Sequence, residues 1–249
     1  VAKIAYYRAK IEHLAGQALA AAGETGAAQA RYRRAVERYP TAESAYLALI
    51  ELVDAGLEVD EFQRGVVDYY AGQTYPDAYG AAIRAFDRYL AGESAPKADE
   101  ALYRKALAQR ATEEPAAALK TLETLISGYP ESKWLVKAWL EKGATLAGMG
   151  DNDGAVKVYQ DLAAFFPEAE LAPRALLNAA RLCEREGAFT QAAKLFESTQ
   201  ASFPAFKDAD EALWRAGLSH YRAGDRERAT DDWQALLEKY PKSPYRAKS

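Results

Sequence analysis

Between Asp210 and Ser243 the chain reads DEALWRAGLSHYRAGDRERATDDWQALLEKYPKS, two amphipathic stretches around a short polar break. Leu213 lies in the first stretch and Trp233, Leu236 and Leu237 in the second, at the three- and four-residue steps of a helix with one buried stripe. Small residues stand where two such helices would touch: Ala216 and Gly217 in the first, Ala229 in the second. Gly224-Asp225 occupies the break, where a tight turn calls for a residue that tolerates φ > 0. Tyr240-Pro241 ends the second stretch, because proline disfavours a helical residue before it.

The same pattern recurs along the chain. Prolines 130, 167, 204 and 241 close successive copies at a constant step of 37 residues. Gly143 pairs with Ala155, Ala180 with Ala192, and Gly217 with Ala229. Earlier, residues 1–22 read as a helix ending at Gly23, and 25–39 as its partner, with Gly16, Ala28, Tyr32 and Pro40 in the corresponding places. Helices are then predicted over 43–54, 60–70 and 78–90, with QTYPD (73–77) as an insertion of about five residues. That region holds three helices where pairs need two or four, so the register slips within 41–91, and the pattern does not say at which helix. AGESAP (91–96) is the candidate hinge.

The pattern resembles the tetratricopeptide repeat, a helix pair of about 34 residues. Counted from Asp210, the places of the repeat consensus hold Leu213 (fourth), Gly217 (eighth), Ala229 (twentieth), Trp233 (twenty-fourth) and Pro241 (thirty-second). His220 departs from the usual Tyr at the eleventh. The resemblance implies an all-α fold, a right-handed α-solenoid of antiparallel helix pairs with about thirteen helices. It would have an irregular part over 1–91 and four regular repeats over 97–249, stacked continuously. One helix pair cannot hide its apolar face, so neighbours stack and stability becomes a sum of near-neighbour contributions.

The resemblance also implies a ligand groove lined by the first helix of each pair. Its usual places fall here on Tyr103 and Arg110; on Lys137 and Leu140; on Arg174, Arg181 and Arg185; and on Trp214, Tyr221 and Arg222. Arginines beside aromatic rings suit carboxylate-bearing or otherwise anionic ligands, extended peptides or glycans. The family's clamp for a C-terminal carboxylate is not matched: Leu140 and Leu177 hold the fifth places, Ala144 and Arg181 the ninth.

Net charge is −4 and pI about 5.5. No polyanion-binding footprint is present, and nucleic acid is not expected as a partner. One cysteine excludes an internal disulfide and a cysteine-based zinc site. Cys183 and His220 both take the inward-packing eleventh place and read as core; His13 is isolated. No metal-ligand spacing exists, and neither a metal nor a cofactor is expected. GMGDNDG (148–154) lacks the calcium-loop spacing and reads as an inter-helix turn. Glu113-Glu114-Pro115 replaces that turn one repeat earlier, with Pro115 suited to a first helical turn. No apolar run reaches the ~20 residues of a membrane span. No pair of carboxylates stands out as acid and base, so no catalytic residue is assigned and the piece is read as non-catalytic.

Two finer resemblances bear on function. The YP-x-S linkage in YPESKWLVKA and YPKSPYRAKS, with the long period, looks like bacterial envelope repeat proteins. YLALIELVDAGLEVDEFQRGVVDYYAGQTYPDAYGAAIRAFDRYL and ALWRAGLSHYRAGDRERATDDWQALLEKYPKSPYRAKS resemble the helical region preceding the catalytic domain of soluble lytic transglycosylases. The chain begins at Val1 without a signal peptide and is read as an excised fragment. Three roles follow: an interaction scaffold from an envelope protein, a substrate-positioning segment of a peptidoglycan lytic transglycosylase, or a cytosolic peptide-binding adaptor. The expected partner is a protein or peptide, with a peptidoglycan connection under the first two; an extracytoplasmic site is expected, with a cytoplasmic one as the alternative. The sequence does not select an oligomeric state.

Overall fold

The computed structural model describes residues 2–248, and among these every regular element is a helix. The chain divides into two compact units, Val1–Ser132 and Lys133–Ser249. The first holds α1 (Ala2–Ala21), α2 (Thr25–Arg38), α3 (Glu43–Asp54), α4 (Glu61–Ala71), α5 (Asp77–Ala91), α6 (Ala98–Ala111) and α7 (Pro115–Gly128). The second holds α8 (Leu135–Gly148), α9 (Asn152–Phe165), α10 (Ala172–Arg185), α11 (Phe189–Ser202), α12 (Ala209–Arg222) and α13 (Arg226–Lys239), then a 3-10 turn over Pro244–Lys248. Among the described residues thirteen α-helices, all but α3 in consecutive packed pairs, form the expected repeat architecture.

The turns form where the sequence provides for them. Gly23, Gly150, Gly187 and Gly224 take positive φ between the two helices of their pairs, and Glu113 does so at φ 60 where the sequence lacks glycine. Asp151 and Asp225 follow two of these glycines and cap the next helix, each side chain accepting from the backbone N–H three residues on. Pro115 opens α7, where its missing N–H costs nothing. The GMGDNDG stretch is thus the α8–α9 turn.

Four of the pairs nest by setting a glycine under a ring. A Cβ placed on Gly143 would lie 2.5 Å from Tyr159, and on Gly65 2.6 Å from Phe86. Gly16 beneath Tyr32 and Gly217 beneath Trp233 are at least as close. The twentieth-place alanines 155, 192 and 229 are at most 1% exposed. All six helices of the second unit are 14 residues long. The extra residues of the 37-residue step therefore lie in the turn leading into each first helix.

The register slip resolves at α3. α1 pairs with α2 and α4 with α5, each through its glycine–ring contact, while α3 packs on α2 and α1 and only lightly on α4. In α1–α2 the small residue and the ring are sixteen residues apart, as in the second unit; Gly65 and Phe86 are twenty-one apart. The difference is the five-residue insertion, which lengthens the α4–α5 turn and leaves the helix contact intact. The segment 91–96 lies inside the first unit, with α5 and α6 packed across it. Lys97 N donates to Tyr89 Oη at 2.9 Å, and its ammonium sits 4.6 Å from the Phe62 ring centre.

Asp68 on α4 is a buried carboxylate of the first unit. It is 3% exposed, its Oδ2 has no hydrogen-bond partner, and Arg64 Nε is 3.8 Å away. Burial pushes its carboxyl up to about 7, against the lowering pull of Arg64, Arg84 and Arg88 and with Glu61 adding to the rise.

Candidate functional site

Four of the predicted groove residues meet in the second unit. Arg181 and Arg185 from α10, and Trp214 and Arg222 from α12, line an open cleft of about 470 Å³ with Glu184, Arg215 and Leu218. The helical period explains the grouping: residues three, four and seven apart on one helix project to one side.

Two glutamates organise the arginines. Glu211 Oε1 accepts from Arg181 Nη2 at 2.8 Å and from Arg215 Nε at 2.7 Å. Glu184 accepts from Arg215 Nη1 at 2.7 Å and from Arg222 Nη1 at 3.1 Å. The carboxylates lie low, with side chains 14% and 10% exposed, while Arg181 and Arg222 are 43% and 45% exposed. Burial raises the Glu211 carboxyl, but the bonds and charges of Arg181 and Arg215 more than reverse this and hold it below the usual carboxylate range. Burial lowers Arg215, and Glu211 and Glu184 reverse that too. Each guanidinium has five N–H donors, so Arg181 and Arg222 keep outward-facing donors. With Arg185, whose Nη2 donates to Asn152 Oδ1 at 3.3 Å, the cleft lining carries four arginines against one glutamate, Glu184. Its surface is cationic and held in place from beneath.

Aromatic walls complete the cleft. Trp214 stacks on Tyr245 of the terminal 3-10 turn, ring centres 5.1 Å apart at 21°, and its backbone oxygen accepts from Trp233 Nε1 at 3.2 Å. Arg215 lies over its ring at 5.9 Å, and Arg222 lies 5.6 Å from the centre of Phe189. Tyr221 is 52% exposed and tilts against Trp233, outside the cleft lining.

The remaining candidates lie elsewhere. Lys137, on α8, sets its ammonium 4.9 Å from the Trp134 ring centre. Arg174 is exposed in the first turn of α10. Tyr103 and Arg110 are half-buried on α6 in the first unit, two turns apart. Leu140 and Leu177, at the fifth places, are buried and belong to the core. Glu184 and Glu211 also stand at groove places of their repeats, and an acidic residue four before an arginine on one helix (Glu211, Arg215) is the sequence signal for them.

The eleventh-place residues are in the core: Cys183 is 4% exposed and His220 1%. Burial raises the Cys183 thiol, which suits an inert side chain. His220 Nδ1 lies 2.8 Å from Asp232 Oδ2 on α13 and 3.8 Å from Glu197 Oε1 on α11. These three atoms lie within 4.8 Å of one another. Burial raises the Asp232 carboxyl, and the hydrogen bond from His220 opposes the rise. His220 Nε2 is buried without a hydrogen-bond partner. The hydrogen bond between His220 and Asp232 joins α12 to α13. No described helix is long and apolar enough to cross a membrane.

Comparison with known proteins agrees with this geometry. One tetratricopeptide repeat model matches residues 13–42, 100–132 and 211–243, and a second matches 140–205. Together they cover more than half of the chain, and both describe the repeat alone. No curated protein matches this sequence. Among solved structures, a MamA protein aligns over 76% of this chain and 95% of its own, at 20% identity and a TM-score of 0.53. MamA from Desulfovibrio magneticus RS-1 aligns over 75% and 98%, at 14% identity and a TM-score of 0.51. A Podosopora anserina protein of nearly identical TPR-like repeats aligns over 76% and 99%, at 14% identity and a TM-score of 0.53. At these identities the likeness is one of fold. Family models, helix pairing and the glycine–ring contacts concur, and the chain belongs to the tetratricopeptide repeat family.

Proposed function

We propose that the chain is a non-catalytic interaction scaffold whose second unit holds an extended, carboxylate-bearing peptide across α10 and α12. The observation that carries this reading is the pair of low-lying glutamates fixing three arginines. Ordering long side chains before the ligand arrives removes part of the entropy cost of binding. Outward guanidinium edges then offer paired donors that match a carboxylate, and Trp214 and Leu218 supply apolar surface beside them.

A setting in the bacterial envelope is part of the proposal. Its support is the YP-x-S linkage and the long period of the sequence. In that setting the acidic ligand would be a partner's peptide or the peptide portion of peptidoglycan. The second role, positioning substrate for a lytic transglycosylase domain on the same polypeptide, rests on the transglycosylase-like stretches. A cytosolic adaptor role would use the same cleft.

The test is fluorescence anisotropy with a labelled glutamate-rich peptide and a lysine-rich control. The acidic peptide should bind, and the lysine-rich one should not. Arg185→Glu with Arg222→Glu should weaken binding by more than about tenfold, since hot-spot arginines carry at least about 2 kcal/mol. Circular dichroism should be unchanged, because both side chains are exposed. Equal binding of the two peptides, or an unaffected double variant, would refute the cleft. Retention on peptidoglycan sacculi, lost in the same variant, would support the envelope setting; equal retention of both proteins would count against it.

A further inference from the structure

Three ionisable side chains from three helices converge inside the second unit: Glu197 of α11, His220 of α12 and Asp232 of α13. The repeat does not require such a group. One pair earlier, the places of His220 and Asp232 hold Cys183 and Leu195, and two pairs earlier Leu146 and Val158. Three pairs earlier they hold Gln109 and Thr121, where the Thr121 hydroxyl donates to Gln109 Oε1 at 2.8 Å. That pair is buried and neutral, and its hydrogen bond is enough to satisfy it. The pair on α12 and α13 is ionisable instead, and it has drawn in a third group.

The third group is what a hydrogen bond does not explain. His220 Nδ1 reaches Asp232 Oδ2 at 2.8 Å, but Glu197 Oε1 stands 3.8 Å from the same nitrogen, beyond hydrogen-bond range. No lysine or arginine pairs with Glu197 or Asp232 among the described residues. Burial pushes the Asp232 carboxyl up, the His220 bond opposes this, and the charges of Glu197 and Asp231 add to the rise. Two carboxylates thus face one imidazole that is 1% exposed, with negative charge in excess. A bound cation would balance it.

We propose that His220 Nδ1, Asp232 and Glu197 bind a divalent transition-metal ion, with zinc as the best match, and that the ion clasps α11 to the α12–α13 pair. Imidazole nitrogen and carboxylate oxygen are both zinc ligands, bonding at about 2.0–2.2 Å. The three atoms already lie within 4.8 Å of one another, so small side-chain rotations bring them to one ion. Glu197, whose side chain is 41% exposed, gives the ion a route in from solvent. Residue spacing does not reveal this set, because each ligand comes from a different helix. None of the three lines the cleft on α10 and α12, and the metal site does not depend on the peptide reading.

The experiment uses the whole chain, stripped with EDTA and titrated with zinc chloride by isothermal calorimetry. One ion should bind per chain, and zinc should raise the melting temperature of the second unit. Loss of an outer partner alone costs a metal site about 10–100-fold in affinity. Glu197→Gln removes a ligand, so it should weaken zinc binding by at least about tenfold. Its melt in EDTA should match the parent's, because the side chain is partly exposed and has no bond to lose. Asp232→Asn should weaken zinc binding as well. In NMR spectra, zinc should shift the imidazole signals of His220 and leave those of His13, the other histidine, in place. No saturable binding, equal binding by Glu197→Gln, or a shift of His13 in place of His220 would overturn the proposal.

Discussion

Replacing Ala192 with arginine is expected to unfold the second unit around α10 and α11 while the first unit keeps its helices. Ala192 is fully buried in one cluster with Ala180, Phe196 and Cys183, and no acidic partner belongs to that cluster. An arginine there must either carry an unpaired charge into the core or force the helices apart. Either route costs roughly 4 kcal/mol or more. Repeat stability is a sum of near-neighbour contributions, so the loss falls first on the pairs that share the contact. Thermal melts by circular dichroism should show an early transition of part of the helical signal and a later one resembling the parent's. Gln191→Arg, one residue away and exposed, should melt like the parent. A parental melt for Ala192→Arg would mean that the register of the second unit is wrong.

The second large effect concerns pH. Asp68 has a folded-state value of about 7 against an ordinary carboxylate value near 4 in the unfolded chain. The folded state holds this proton more tightly, so stability falls as pH rises from about 4 to about 7 and then levels off. Three pH units correspond to on the order of 4 kcal/mol, shared with the countering arginines 64, 84 and 88. Asp68→Asn keeps the shape and removes the charge. Melts of the first unit's transition at pH 5 and pH 8 should show the variant close to the parent at pH 5 and several degrees more stable at pH 8. A variant that repeats the parental change between the two pH values would show that Asp68 does not titrate as its surroundings imply.

Much of the fold can be read from residue order because the repeat writes each packing rule several times. Gly224-Asp225 and Gly150-Asp151 announce the same turn, and both adopt it. Gly16, Gly143 and Gly217 each stand sixteen residues before the ring that covers them. The pairing of α4 with α5 was harder to see, because the five inserted residues move Phe86 off that step although the contact survives. α3 has no such small–large partner, and only packing shows it to be the unpaired helix. The cleft was half visible. Its arginines stand at groove places, but what holds them is an ion-pair network between α10 and α12, spanning Arg181 to Glu211 and Glu184 to Arg215 and Arg222. Sequence spacing reports neighbours along one helix; it does not report which side chains of two helices share a carboxylate. The His220–Asp232 bond was hidden for the same reason, since it joins α12 to α13.

Glycines lying directly beneath large rings define the pairing of α1 with α2, α4 with α5, α8 with α9 and α12 with α13. Nuclear Overhauser contacts measure this directly. Strong cross-peaks are predicted between the Gly217 α-protons and the Trp233 indole, and between the Gly143 α-protons and the Tyr159 ring. Absence of both, in a spectrum where other contacts within α12 and α13 are resolved, would contradict the pairing on which the cleft and its arginines depend.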